Sequence, residues 1–193
     1  MNETVLLNGA FAPSSEAHVS VYDGGFLHGA GLFETMRAEH GRVFRLEQHL
    51  ERIGRSALRL LSPLPDGALP DARTLGELLH RNELESARIR LTVTAGQLRG
   101  DREDEAGLNV VATASPLSGY PAELYGQGVS VVVCSYRTSA TDPAAGHKTT
   151  SYLPRLLGLR EAQQARCTEA IWFTTSKHMA EGCISNVFVV RDG

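Results

Sequence analysis

Of the 19 lysine and arginine residues in the chain, only Lys148 and Lys177 are lysines. Arginine stays protonated and cannot act as an amine nucleophile, whereas lysine can lose its proton and attack a carbonyl carbon. Any amine chemistry therefore falls to one of these two residues. Lys177 stands in the polar turn Ser176-Lys177-His178 between two apolar runs, where a surface position accounts for it. Lys148 stands in Gly146-His147-Lys148-Thr149-Thr150-Ser151-Tyr152, after a strand pattern and just before a helical one. That place suits a partly buried amine, and the helix start offers N–H groups to an anion. The glycine, lysine and hydroxyl here do not make a phosphate loop, because His147 separates Gly146 from Lys148 and no glycine stands five residues before Gly146. No G-x-S-x-G elbow supports Ser/His/Asp hydrolysis, and His28, His49 and His147 are too scattered to predict a metal site.

The elements that must position these groups follow from periodicity. Val5-Leu6-Leu7-Asn8-Gly9 reads as a strand ending in a turn, and Val19-Ser20-Val21-Tyr22 as a second strand before Asp23-Gly24-Gly25. Four glycines between Gly24 and Gly31 demand a sharp turn or a close backbone approach. Leu32 to Arg37 resumes as a strand, with a turn over Glu39-His40-Gly41-Arg42. From Arg45 the period changes: Leu46, Leu50, Ile53, Ala57 and Leu60 or Leu61 form a helical stripe that Pro63 and Pro65 stop. Asp71 predicts the cap of a second helix through Leu75, Leu78 and Leu79, and Ala87 to Thr94 alternates as a strand with one wet face. A long loop spans 95–107, and a strand covers 109–113. In the second half, the continuous run Val129 to Cys134 predicts a strand buried on both faces. Thr150 or Ser151 would cap a helix to Arg166, and strands are expected at Ile171-Trp172-Phe173 and Asn186 to Val190. Arg191-Asp192-Gly193 then carries a hairpin signal with no partner strand after it, so the fold is expected to continue beyond this sequence or to be completed by another chain.

A length of 193 residues with 42% hydrophobic and 21% charged residues suffices for one or two globular domains. The Pro/Gly-rich stretch from Ser115 to Gly128 predicts an interdomain connector at 115–128, between a domain over 1–114 and the part of a second over 129–193. A net charge of −3 offers no general attraction for nucleic acid or an acidic membrane, which points to small-molecule or protein partners. Three widely spaced cysteines without a C-x-x-C pair predict reduced thiols, and no apolar run reaches the length of a membrane span. A soluble, cytoplasmic protein is expected.

Three blocks, in order along the chain, resemble the class IV aminotransferases, the fold-type IV pyridoxal-phosphate enzymes that include branched-chain and D-amino-acid aminotransferases and aminodeoxychorismate lyase. The first is Val21-Tyr22-Asp23-Gly24-Gly25-Phe26-Leu27-His28-Gly29-Ala30-Gly31-Leu32-Phe33-Glu34-Thr35-Met36-Arg37. The second is Phe44-Arg45-Leu46-Glu47-Gln48-His49-Leu50-Glu51-Arg52-Ile53 with Ser56-Ala57. The third runs from His147-Lys148-Thr149-Thr150-Ser151-Tyr152-Leu153-Pro154 to Ala180-Glu181-Gly182-Cys183-Ile184-Ser185-Asn186-Val187-Phe188. The resemblance implies a mixed α+β and α/β, two-domain fold-type IV architecture, with a smaller N-terminal α/β domain and a larger C-terminal domain that is incomplete here.

It also implies pyridoxal 5'-phosphate as cofactor, Lys148 as its Schiff-base lysine, Glu181 facing the pyridine nitrogen, Arg52 on the phosphate and Tyr152 at the ring hydroxyl. Phe33 would border the substrate. The chain departs from the family in Asp23-Gly24-Gly25, where Asp-Arg-Gly is common, and in Phe33, which lacks the hydroxyl of D-amino-acid aminotransferases. Arg99, in the long loop, is the candidate carboxylate ligand. The implied activity is amino transfer between an amino acid and a 2-keto acid, with a homodimer as the assembly. The alternatives are an aminodeoxychorismate lyase forming 4-aminobenzoate and pyruvate, and a non-catalytic fragment or partner-binding subunit.

Overall fold

Asn8 and Gly9 set the first reversal of the chain, both at positive φ (50° and 82°), the conformation a two-residue hairpin needs. A computed structural model describes residues 3–98 and 107–192. In it the turn joins β1 (Thr4–Leu7) to β2 (Ala10–Pro13). The chain then forms α1 (Gly24–His28), β3 (Gly31–Glu39), β4 (Arg42–Val43), α2 (Leu46–Leu60), α3 (Ala72–Arg81), β5 (Ser86–Thr94), β6 (Asn109–Pro116), α4 (Ala122–Gln127), β7 (Val131–Thr138), α5 (Leu153–Gln164), β8 (Glu169–Thr174) and β9 (Met179–Gly182). Two compact units result: Met1–Ser118 with His147–Ser151, and Gly119–Gly146 with Tyr152–Gly193. The segment expected as a connector, 115–128, therefore holds the end of β6 and α4, and the lysine segment clusters with the first unit.

In the first unit an antiparallel sheet runs β2-β1-β6-β5-β3-β4. The alternation of β5 divides it as its sequence requires: Ala87, Ile89, Leu91 and Val93 are buried, while Arg88 and Arg90 face outward. Helices α2 and α3 close the core with Ile53, Ala57, Leu75, Leu78 and Leu79. Asp71 caps α3 as expected, its Oδ1 accepting from the Thr74 N–H at 2.7 Å.

Val19 to Tyr22 is not a strand. The Asp23 N–H donates to Ser20 O at 3.0 Å and the Tyr22 N–H to Ser20 Oγ at 3.1 Å, which closes a turn there. Asp23 then caps the short helix α1, with Oδ1 accepting from the N–H groups of Gly25 (2.7 Å) and Phe26 (3.2 Å). Its Oδ2 accepts from Thr94 Oγ1 at 2.6 Å and Asn109 Nδ2 at 2.8 Å, so this buried carboxylate has four neutral donors among the described residues. Glycine at 25 is needed because a Cβ there would lie 2.5 Å from Thr94 Cγ2 and 2.8 Å from Asp23 Oδ1.

The second unit pairs β7 parallel to β8, and β8 antiparallel to β9. Its core is Cys134, Ala162, Ala170, Trp172 and Cys183. Three expectations are corrected here. β7 is not buried on both faces: Val131 and Val133 are exposed, because among the described residues β7 pairs only with β8 and is covered on the Cys134 side. Neither Thr150 nor Ser151 caps α5; Tyr152 holds the cap position without a side-chain bond, since both hydroxyls donate to Gly29 O instead. Residues 186–190 form no strand and pair with none of the described strands; Phe188, Val189 and Val190 are exposed.

Replacing Asp23 by alanine should cost about 2–4 kcal/mol, because it strands four donors around a buried position. Asp71→Ala, which removes one exposed cap, should cost about 1 kcal/mol. Urea unfolding of the two variants measures the difference, and equal losses would contradict this role of the buried Asp23 carboxylate.

Candidate active site

The free edge of β3 delivers Lys148. The Phe33 N–H donates to Lys148 O at 2.9 Å, the Thr150 N–H donates to Gly31 O at 2.8 Å, and Leu32 faces Thr149 in an antiparallel bridge. The hydroxyls of Thr150 and Ser151 donate to Gly29 O at 2.9 and 3.1 Å. A Cβ at Gly31 would stand 2.7 Å from Thr150 Oγ1, and one at Gly29 would stand 2.7 Å from Ser151 Oγ. These two glycines therefore permit the close approach that the glycine-rich stretch predicts.

Held in this way, the half-buried Lys148 places Nζ 4.4 Å from the centroid of the Phe33 ring. Arg90 Cζ lies 4.0 Å from the same centroid, and Phe33 itself is buried. The ring thus offers one apolar surface to two cationic side chains.

The next residue along β3, Glu34, is buried and organises α2. Its Oε1 accepts from Arg52 Nε at 2.6 Å, its Oε2 from Arg52 Nη2, and Oε2 also lies 2.8 Å from His49 Nδ1. The hydrogen bond to Glu34 raises the Arg52 pKa above the ordinary arginine value, with burial opposing. Arg52 is a fixed cation with half of its side chain exposed. His147, the neighbour of Lys148, lies 2.9 Å through Nδ1 from Oγ of the buried Ser56, also on α2.

Tyr152 and Glu181 belong to the second unit. The Tyr152 hydroxyl donates to Cys183 O at 2.6 Å, and burial raises its pKa, with Arg155 opposing. Glu181 forms an ion pair with Arg155 Nη2. Glu169, buried on β8, accepts from the N–H groups of Ala170 (2.8 Å), Cys183 (3.0 Å) and Ile184 (3.2 Å) and from Ser185 Oγ (2.7 Å). It thereby pins the turn that follows Glu181. Lys177 is exposed in its turn at φ 67°, and Arg99 lies outside the described residues. Among the described residues no cluster of His, Cys, Asp or Glu could hold a metal ion, and the three cysteines are free thiols.

Glu34, Glu169, Arg155, His147 and Arg90 are absent from the sequence-predicted set. Glu34 had a signal: it occupies the inward phase of Leu32, Glu34, Met36 and Ala38, where a carboxylate needs a buried partner. Apart from the adjacent Ala170 N–H, the contacts of Glu169 and Arg155 join residues more than ten positions apart and had none.

Residues 31–193 match the family model described as amino-transferase class IV. The chain is 33% identical to a putative branched-chain-amino-acid aminotransferase of Methanocaldococcus jannaschii, over 98% of this chain and 66% of that protein. It is 30% identical to the aminodeoxychorismate lyase of Bacillus subtilis, over 95% of this chain and 63% of that protein. Among solved structures it resembles the branched-chain aminotransferase of the thermophilic archaeon Thermoproteus uzoniensis with norvaline, with a TM-score of 0.83 and 28% identity over 100% of this chain and 67% of that one. The chain thus spans about two thirds of the length of these proteins.

Glu169 generates a pH dependence. Burial pushes its carboxyl up, but the Ser185 hydroxyl and the N–H groups of Ala170, Ile184 and Cys183 outweigh it and hold the pKa below the ordinary carboxylate value. A depressed folded pKa contributes stability that is fully present above the unfolded value of about 4.3 and is lost as pH falls through the folded one. Glu169→Gln should therefore unfold more easily at pH 7, and its deficit should shrink on acidification below about pH 4. Thermal melts at a series of pH values check this, and a deficit that stayed constant would contradict it.

Proposed function

Because the chain belongs to the class IV aminotransferase family, we propose that it acts as a pyridoxal 5'-phosphate-dependent enzyme that moves an amino group between an amino acid and a 2-keto acid. The architecture is that of the fold-type IV aminotransferases, with mixed α and β elements in two units. The observation that carries the proposal is the half-buried Lys148, held by backbone pairing beside the Phe33 ring.

The residues present suit the cofactor chemically. Lys148 offers an amine to an aldehyde, Arg52 a permanent cation to a phosphate, and Glu181 a carboxylate to a ring N–H. Beside Glu181, the buried Nη1 of Arg155 has no hydrogen-bond partner among the described residues and can serve a further acceptor. When bound, pyridoxal phosphate supplies an aldehyde that takes up amines and a ring that accepts electrons from the substrate's α-carbon.

In this proposal Lys148 would hold the cofactor through its amine and would carry a proton to and from the substrate's α-carbon. Arg52 binds the phosphate while Glu34 fixes the plane of the guanidinium. Glu181 keeps the ring nitrogen protonated, and Tyr152 neighbours the ring hydroxyl. Phe33 forms an apolar wall for the substrate, and Arg99 receives its carboxylate. A homodimer in the cytoplasm is the proposed setting.

Lyase activity on aminodeoxychorismate is the second possibility, favoured by the 30% identity to the Bacillus subtilis lyase. Borohydride reduction with pyridoxal phosphate, followed by peptide mapping, should label Lys148; label only on Lys177, or none, would defeat the cofactor assignment. Lys148→Ala should lower turnover by about 10²–10⁴-fold. Amino donors with 2-oxoglutarate should give the keto acid, whereas pyruvate released from aminodeoxychorismate without amino transfer would select the lyase.

A further inference from the structure

Resting on the assignment of Glu181 to the cofactor's ring nitrogen, we propose that Arg155 is a positioning residue that clamps the Glu181 carboxylate and limits how tightly that nitrogen holds its proton. Arg155 stands in the first turn of α5, and its Nη2 pairs with Glu181 Oε1. The two partners are unequal: the Arg155 side chain is 17% exposed, that of Glu181 54%. The arginine is the anchored member and the glutamate the one it holds.

The anchoring is visible in the packing. Arg155 Cζ lies 4.2 Å from the Trp172 ring centroid, and Trp172 Nε1 donates to Cys183 Sγ at 3.1 Å. Gly158, one helical turn beyond Arg155, leaves space for the indole, since a Cβ there would lie 2.9 Å from Trp172 Nε1 and 2.8 Å from Cys183 Sγ. Glycine, indole and thiol therefore fix the surface on which the guanidinium rests. The other ionisable groups in this region are committed elsewhere. Tyr152 donates to Cys183 O, Cys183 accepts from the indole, and Glu169 is filled by four neutral donors. Among the described residues, the cation that faces Glu181 is Arg155.

A carboxylate beside a ring nitrogen stabilises the protonated ring by attraction, and a guanidinium behind that carboxylate opposes it. A unit charge at this remove, partly shielded from water, shifts a neighbouring protonation midpoint by about one pH unit. Removing the charge should make the ring nitrogen more basic, and removing Glu181 should make it less so.

The test is an NMR titration of the protein loaded with pyridoxal phosphate carrying ¹⁵N in the ring. Arg155→Gln and Arg155→Met should each raise the ring-nitrogen protonation midpoint by about one unit, and Arg155→Lys should return it to within a few tenths of the original. Glu181→Gln should lower it. Two neutral variants keep the test open if one fails to fold. A midpoint unmoved by the neutral Arg155 variants, while Glu181→Gln shifts it, overturns the role of Arg155 alone. A midpoint unmoved by Glu181→Gln with cofactor bound overturns the Glu181 assignment and this proposal with it.

Discussion

The pairing of Lys148 to Thr150 along the edge of β3 is the constraint on which the first unit's chemistry depends. A strand segment alternates its side chains, so a slip of one residue would exchange His147 and Lys148 between the two sides of the sheet edge. The register is therefore secured more than once: by backbone bonds to Gly31 and Phe33, and by two hydroxyls on the single acceptor Gly29 O. A side chain at 29 or 31 would crowd the Ser151 or Thr150 hydroxyl. The glycines and the hydroxyls are complementary halves of one device, although they are separated by about 120 positions along the chain.

Three buried carboxylates extend the same logic from the sheet to its loops. Among the described residues, Asp23 and Glu169 each gather four neutral donors and no cation in their hydrogen-bond sets, while Glu34 takes the guanidinium of Arg52 and the imidazole of His49. Burying a carboxylate is costly unless its lone pairs are filled, so each site is determined by the donors it requires. Asp23 fixes the entry to the glycine stretch, Glu34 the first helix of the second block, and Glu169 the turn after Glu181. Asp23 and Glu34 lie within the first segment that resembles the family, and Glu169 binds Cys183, Ile184 and Ser185 of the third.

What could be read in the sequence was local. The period of α2, the cap of α3, the alternation of β5 and the turn at Asn8-Gly9 are set within a few residues, and each forms as expected. Lys148 stood out because its residue type was scarce and its neighbours polar. What failed depended on distant partners. Thr150 and Ser151 are good cap residues, but Gly29 O competes for their hydroxyls from far along the chain. Val131 to Cys134 had the composition for burial on two faces and receives cover on one. Asn186 to Val190 had strand propensity and finds no strand to pair with among the described residues. Propensity describes what a segment can do, and the partner decides what it does.

Phe33 and Glu34 show how little structure separates the two kinds of interaction the first unit needs. As consecutive residues of one strand they point to opposite sides of the sheet. Phe33 supplies a buried ring to the Lys148 amine, and Glu34 supplies a buried anion that fixes the Arg52 guanidinium. An aromatic face shields an amine from water on the side it covers. A bidentate carboxylate sets the plane of a guanidinium. Both contacts are set by the pleat of β3, whose position is determined by the hydrophobic core behind it. The placement of the Lys148 amine and the Arg52 guanidinium therefore follows from the sheet, and it does not rest on either side chain alone.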